Sequence, residues 1–135
     1  MSRDLLRGAL AAMGVAITGF GLRGVLRGSG EVPDGGAVSA NVDSEYRFYA
    51  AWYTVVGPLL AAAARRPEGA ATMVRAVGAG FHLAALGRVL SIRRLGLPHR
   101  TQRVLLAIEI ALPLVLVPWQ ARVRQAASRS TNEST

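Results

Sequence analysis

The apolar residues of this chain gather into four long runs separated by arginine-rich segments, and this pattern restricts its possible folds more than any other feature. The runs occupy residues 5–26, 46–64, 70–92 and 104–121. An α-helix rises about 1.5 Å per residue, so about 20 residues cross a hydrocarbon core of about 30 Å, with about 17 as the lower limit. All four runs reach this length, and the sequence therefore predicts four membrane-spanning helices.

The opposing interpretation is a soluble bundle with unusually apolar core helices. A soluble helix needs a polar face that recurs about every 3.6 residues, and residues 104–119 show none. We therefore expect an all-α integral membrane four-helix bundle with antiparallel neighbours, formed by residues 1–125, followed by a polar tail at 126–135 that frays. The first run is expected to remain as a span, because the small residues that suit a signal peptidase, at 38–40, lie far beyond it.

Composition excludes several classes of site and partner. The chain has no Cys and 2 His, which excludes disulfides, thiolate metal sites, Cys nucleophiles and His-rich metal cages. The net charge of +8 comes with 16 cationic residues, all of them Arg. A nucleic-acid-binding protein gathers such residues on one face beside base-stacking aromatics, whereas here they flank the apolar runs. We therefore expect no metal, cofactor or nucleic acid, and the lipid bilayer as the principal surroundings.

Four spans would place both termini and the second loop on one side of the membrane, and the first and third loops on the other. We call these the terminal side and the loop side. The arginines divide almost equally between them, with a slight excess on the terminal side. The positive-inside rule then favours cytoplasmic termini.

When the position of each residue in the sequence is converted into its depth in the membrane, several charged residues lie near the loop side. Arg88 lies about one turn inside the end of the third span, and Glu109 lies one to two turns inside the start of the fourth, so we expect them to meet. The second span begins at the same level, where Asp43 or Ser44 can cap the helix and Arg47 follows. Arg23 and Arg27 leave the first span there as well. The predicted polar network consists of Asp43, Glu45, Arg47, Arg88, Ser91 and Glu109.

Two interpretations of this network stay open. An isolated charge in the bilayer costs about 2.5 kcal/mol or more, so these charges must pair or face water. A paired network would lock the helices in register, whereas an unpaired one would form a pocket for a small anionic or lipidic ligand. Trp52 and His82 are candidate walls of such a pocket, although an aromatic belt also explains Trp52 and a hydrogen-bonded packing role also explains His82.

Small residues follow helical spacing on two of the spans. The first span carries Gly14, Thr18 and Gly21, and the third carries Gly80, Ala84 and Gly87. Such stripes permit close approach of a neighbouring helix, although they also arise by chance in an Ala- and Gly-rich chain.

Several motifs from residue 41 onward occur in a recognisable order. They are Asn41-x-Asp43-Ser44-Glu45-x-Arg47-Phe48-Tyr49 before the second span, Gly87-Arg88-x-x-Ser91 closing the third, Gly96-x-Pro98 in the turn, and Glu109 with Pro113 in the fourth. In this order and spacing they resemble the small bacterial membrane proteins grouped as domain of unknown function 4345. The resemblance implies four transmembrane helices in a bacterial plasma membrane and no established activity.

The sequence indicates a protein without chemistry of its own, because it shows no nucleophile, metal or nucleotide motif. Its weakly hydrophobic spans favour an accessory or assembly partner of other membrane proteins, or of further copies of itself. The alternative is a carrier or sensor that holds a small anionic or lipidic ligand with Arg47 and Arg88. An enzyme would have to rely on Glu45, Glu109 and His82, and no arrangement in the sequence joins them.

Overall fold

Four long α-helices and one short 3-10 helix form the regular structure of the chain. In the computed structural model, which describes residues 2–132, the α-helices are α1 (Arg3–Arg27), α2 (Ala40–Ala63), α3 (Ala71–Leu95) and α4 (Arg100–Asn132), and the 3-10 helix Gly28–Glu31 follows α1. No strand occurs within these residues. The predicted all-α fold is confirmed.

Three helices are long and apolar enough to cross a membrane: α1 with its 3-10 extension, α3 and α4. α2 has the length, with 24 residues, but Arg47 and the tyrosines near it lower its mean hydropathy. Among the helices of residues 2–132, α2 is thus the one long helix outside this set. A crossing by α2 stays a prediction.

α2 begins earlier than the sequence suggested. Ser39 precedes the helix with extended backbone, and its hydroxyl accepts a hydrogen bond from the Val42 N–H at 3.4 Å. Asp43 and Ser44, the predicted caps, lie inside the helix, so that prediction is wrong. The helix starts at the first capping side chain available after the glycine-rich loop, which is Ser39.

α4 continues to Asn132, past residue 126, where the tail was expected to fray. Its last turns contain alanine, arginine and glutamine, which favour helix formation. Three hydroxyl side chains there donate to backbone carbonyls three or four residues earlier. They are Ser128, Ser130 and Thr131. Residues 133–135 of the predicted tail lie outside the described residues.

The chain forms two compact units, of which the first comprises residues 8–65. In this unit α1 and α2 approach closely through glycine. A methyl group added to Gly14 would lie 2.6 Å from the Gly57 carbonyl oxygen, and one added to Gly21 would lie 2.5 Å from the Thr54 amide nitrogen. The Thr18 hydroxyl donates back to the Gly14 carbonyl at 2.8 Å. The small-residue stripe predicted on the first span is therefore confirmed as a packing surface.

The second unit comprises residues 2–7 and 66–132, and it contains α3 and α4 as an antiparallel pair. The closest approach is at Gly78, where an added methyl would lie 3.2 Å from the Pro113 side chain and 3.3 Å from Val117. A methyl on Gly80 or Gly87 would meet nothing within 4 Å. The stripe predicted on the third span is therefore wrong, because equal spacing identifies one face of a helix without saying which neighbour covers it.

The second unit is closed at its other end by the turn that precedes α3. Gln120 is buried on α4, and its Nε2 donates to the carbonyls of Pro67 and Glu68 at 3.1 and 3.3 Å. The Glu68 carboxylate in turn accepts from Nε and Nη2 of Arg3, both at 3.1 Å. A side-chain amide thus replaces the water that these loop carbonyls would otherwise need.

Large apolar side chains cover the outside of the helices. Val15 is 70% exposed, Leu83 71% and Leu114 63%. A water-soluble monomer rarely exposes so many such residues, whereas lipid chains solvate them well. The pattern of exposure agrees with helices that cross a membrane.

We expect Gly57→Ala to destabilise the first unit by about 1–3 kcal/mol, because its methyl group would collide with Thr18 and the Gly14 backbone. Gly80→Ala is the matched control, since nothing lies within 4 Å of its methyl group and alanine favours helix. Unfolding of both variants in mixed detergent micelles, followed by circular dichroism, measures the difference. Equal stability of the two variants would contradict the packing described.

Candidate functional site

Arg88 on α3 and Glu109 on α4 form an ion pair in the second unit. The Arg88 Nε donates to both carboxylate oxygens of Glu109, at 2.8 and 3.0 Å. The Glu109 side chain is 7% exposed and that of Arg88 is 30% exposed. The prediction that these two residues meet is confirmed.

Arg88 has a further partner that the sequence analysis missed. Its Nη1 donates to Oε1 of Gln102. Gln102 precedes Glu109 by two helical turns, so both side chains leave α4 on the same face. The spacing was visible in the sequence, but an uncharged amide gave no reason to single it out.

Asp43 and Arg47, one turn apart on α2, hold the C-terminal end of α1 in the first unit. The Arg47 Nε donates to Asp43 Oδ2 at 2.8 Å. Its Nη1 donates to the backbone carbonyls of Val25 and Leu26. The last carbonyls of a helix lack partners within the helix, and a cation there also matches the negative end of the helix dipole. Arg47 therefore caps α1 from the neighbouring helix.

The connection after α1 contacts the same two residues, Asp43 and Arg47. Oδ1 of Asp43 accepts from the Ser29 N–H at 2.7 Å and from the Ser29 hydroxyl at 2.8 Å. Gly28 has φ +64°, a left-handed conformation that side chains other than glycine's rarely adopt. A methyl group there would also collide with Asp43 and lie 2.6 Å from Nη2 of Arg47. Glycine at this position is required on both grounds.

Glu45, a member of the predicted network, is exposed and forms no ion pair within the part of the chain that the structure describes. Residues two apart on a helix point in different directions, whereas Asp43 and Arg47, four apart, share a face. Glu45 therefore lies apart from the contacts that Asp43 and Arg47 make. Arg23 and Arg27, which the sequence placed at the same level, both bind Glu31 at 2.9 Å.

Ser91 and Trp52 lie on exposed parts of the helices. Ser91 forms no side-chain hydrogen bond to any residue in 2–132. Trp52 is 58% exposed, and its ring meets that of Phe48 edge-on with centroids 6.4 Å apart. Trp52 is therefore part of an aromatic outer surface of α2.

His82 makes a hydrogen bond across the α3–α4 pair. Its Nε2 lies 3.3 Å from the Ile110 carbonyl oxygen, to which it donates. Ile110 precedes Pro113 by three residues, and a proline inside a helix weakens the backbone bonds of the preceding turn. His82 also lines a groove of about 470 Å³ beside Pro113, Gly78 and Arg75. The packing interpretation of His82 gains support from this bond.

Within each cluster the polar groups bind other members of the same cluster or the backbone. Arg88 donates to Glu109 and Gln102, and Arg47 donates to Asp43 and two carbonyls. The donors that a two-point carboxylate or phosphate ligand would use are thus largely occupied. No group of three or more His, Asp or Glu among residues 2–132 is arranged to hold a metal ion.

Arg88→Ala is expected to lower the free energy of unfolding by about 3 kcal/mol, because Glu109 would stay buried without its cation. The double change Arg88→Leu with Glu109→Leu should recover most of that loss, because no charge is then left uncompensated. Detergent-induced unfolding measures both, with Arg93→Ala as a control at an exposed arginine of the same helix. A single variant as stable as the parent would show that the pair does not support the fold.

Acidification should weaken the first unit by protonating Asp43. The Arg47 guanidinium, followed by the two Ser29 donors, lowers the pKa of Asp43 from 3.8 to about 2. A carboxylate whose pKa is lower in the folded protein than in the unfolded protein stabilises the fold at any pH above its pKa in the unfolded protein. This contribution disappears as the pH falls through its pKa in the folded protein. We therefore expect the loss between about pH 4 and about pH 2.

The NMR signal of the Ser29 amide reports this titration directly, because that amide donates to Asp43. We expect a midpoint of about 2, in line with the pKa of Asp43. The transition should vanish in Asp43→Asn. A midpoint at the ordinary aspartate pKa would mean that Arg47 and Ser29 do not hold the carboxylate in solution.

Comparison with known proteins yields one match. The family described as Domain of unknown function (DUF4345) matches residues 5–120, a range that contains Asp43, Arg47, Arg88 and Glu109. No curated protein and no solved structure matches the chain. Because the match extends over most of its length, the chain belongs to the DUF4345 family.

Proposed function

We propose that this protein is an accessory or assembly partner of other membrane proteins and has no chemistry of its own. The observation that carries the proposal is an exposed stripe on α2. Four side chains at helical spacing are each about half exposed and face away from the unit's own core. They are Phe48, Trp52, Val55 and Leu59. Their spacing of four, three and four residues is that of a helix seam that packs against another helix.

The composition of α2 supports a protein occupant for this stripe. α2 is the one long helix among residues 2–132 that is not apolar enough to qualify as a span. A helix of this kind gains stability when another transmembrane helix packs against it. The ring of Phe48 meets those of Tyr49 and Trp52 edge-on, and such rigid aromatic groups are effective anchors at protein interfaces.

The alternative, a carrier or sensor of a small anionic ligand, gains less support. It relies on Arg47 and Arg88, and both guanidinium groups already donate to side chains or carbonyls of the protein itself. A ligand would have to displace these bonds before it could bind.

We also propose a bacterial plasma membrane as the location, with both termini in the cytoplasm. The family resemblance supports the first statement. The slight excess of arginine on the terminal side supports the second, under the positive-inside rule.

Site-specific cross-linking in native membranes tests the proposed interface. The chain has no Cys, so a single cysteine at Val55 can carry a photoreactive group without competing sites. We expect an adduct with another membrane polypeptide from position 55. The matched control is Leu86 on α3, which is equally exposed, at 54% against 55%, and should yield no protein adduct.

Two outcomes would contradict the proposal. Adducts with lipid alone at both positions would mean that α2 faces the bilayer. An adduct of two copies of this chain would replace an accessory role with self-association.

A further inference from the structure

The turn between α3 and α4 carries an uncompensated positive charge. Residues 93–103 contain four arginines and no acidic residue. All four side chains are exposed, and none of them takes part in an ion pair within residues 2–132. They are Arg93, Arg94, Arg100 and Arg103, and we call them the turn patch. In contrast, Arg3, Arg23 and Arg27 near the ends of α1 each bind a glutamate.

Two leucines protrude from the same turn. Leu95, the last residue of α3, is 86% exposed, and Leu97 is 74% exposed. Gly96 between them has φ +88°, a conformation that ends the helix. Leucines placed in this way are unfavourable in water and favourable at the edge of a hydrocarbon core.

The lengths of the helices place the turn at the membrane surface. α3 and α4 both qualify as membrane spans, and α3 has 25 residues. At about 1.5 Å per residue it is about 37 Å long, which exceeds a hydrocarbon core of about 30 Å. The turn therefore lies among the lipid headgroups, where the leucines can enter the acyl boundary while the arginines remain at the level of the phosphates.

We propose that the turn patch binds the phosphate groups of anionic phospholipids. Arginine suits this ligand, because its planar guanidinium offers paired donors to phosphate oxygens and stays charged at all physiological pH values. The first amides of α4 are not the donors, since those of Thr101, Gln102 and Arg103 already bind His99. An acidic protein segment would match the four charges but leave Leu95 and Leu97 without a hydrocarbon phase to enter.

Depth-dependent fluorescence quenching in vesicles tests this proposal. A single cysteine at Leu97 carries an apolar fluorophore, and the protein is reconstituted in phosphatidylcholine with about one-fifth phosphatidylglycerol. One preparation contains brominated phosphatidylglycerol and the other the same fraction of brominated phosphatidylcholine. We expect the brominated anionic lipid to be enriched about fivefold at the label, the effect of about one arginine–lipid contact. The enrichment should decrease in 0.5 M salt, because exposed charges are screened.

The control changes the same number of arginines at the opposite end of the α3–α4 pair. The enrichment should disappear when all four arginines of the turn patch are changed to Gln. It should persist in the variant R66Q/R122Q/R124Q/R129Q, which alters four other exposed arginines. Equal quenching by the two brominated lipids in the parent protein would overturn the proposal, whatever the variants do. Absence of quenching by either lipid would also overturn it, by showing that the turn stands in water and is available to an acidic protein.

Discussion

The buried carboxylate of Glu109 is the constraint on which the α3–α4 unit depends. A charge in apolar surroundings is tolerable only with a cation beside it, so Arg88 must stand opposite Glu109. A slip of one helical turn would separate the two groups and leave each alone. The His82 bond to Ile110 and the contact of Gly78 with Pro113 lie along the same interface and agree with the same register. One ion pair thus selects the register in which the other contacts also form.

The α1–α2 unit is held in a different way. Its helices approach so closely at Gly14 and Gly57 that backbone meets backbone, and dispersion forces provide most of the attraction. Charge enters only at the end, where Arg47 binds the free carbonyls of α1 and Asp43 binds the chain that follows. The arginine replaces the water that would otherwise solvate these carbonyls.

The sequence was sufficient for features that depend on depth in the membrane and insufficient for features that depend on direction around a helix. Arg88 and Glu109 could be paired because both lie near the same end of adjacent antiparallel spans. Glu45 was placed in the network at the correct depth, but it lies on a different face of α2 from Arg47, since residues two apart diverge on a helix. The prediction of a packing stripe through Gly80 on the third span was wrong for the same reason. Gln102 and Gln120 were missed because a neutral amide gives no charge signal, although both satisfy partners that would otherwise lie unpaired.

The 33 residues of α4 make it about 50 Å long, whereas the hydrocarbon core is about 30 Å thick. Its last turns therefore stand clear of the bilayer as a continuous extension of the same rod. Glu109 holds this helix against α3 through Arg88, and Gln120 holds it against the turn that precedes α3. The helix is thus fixed at two levels, and the turns beyond Gln120 leave the packed pair in the direction that these two contacts set.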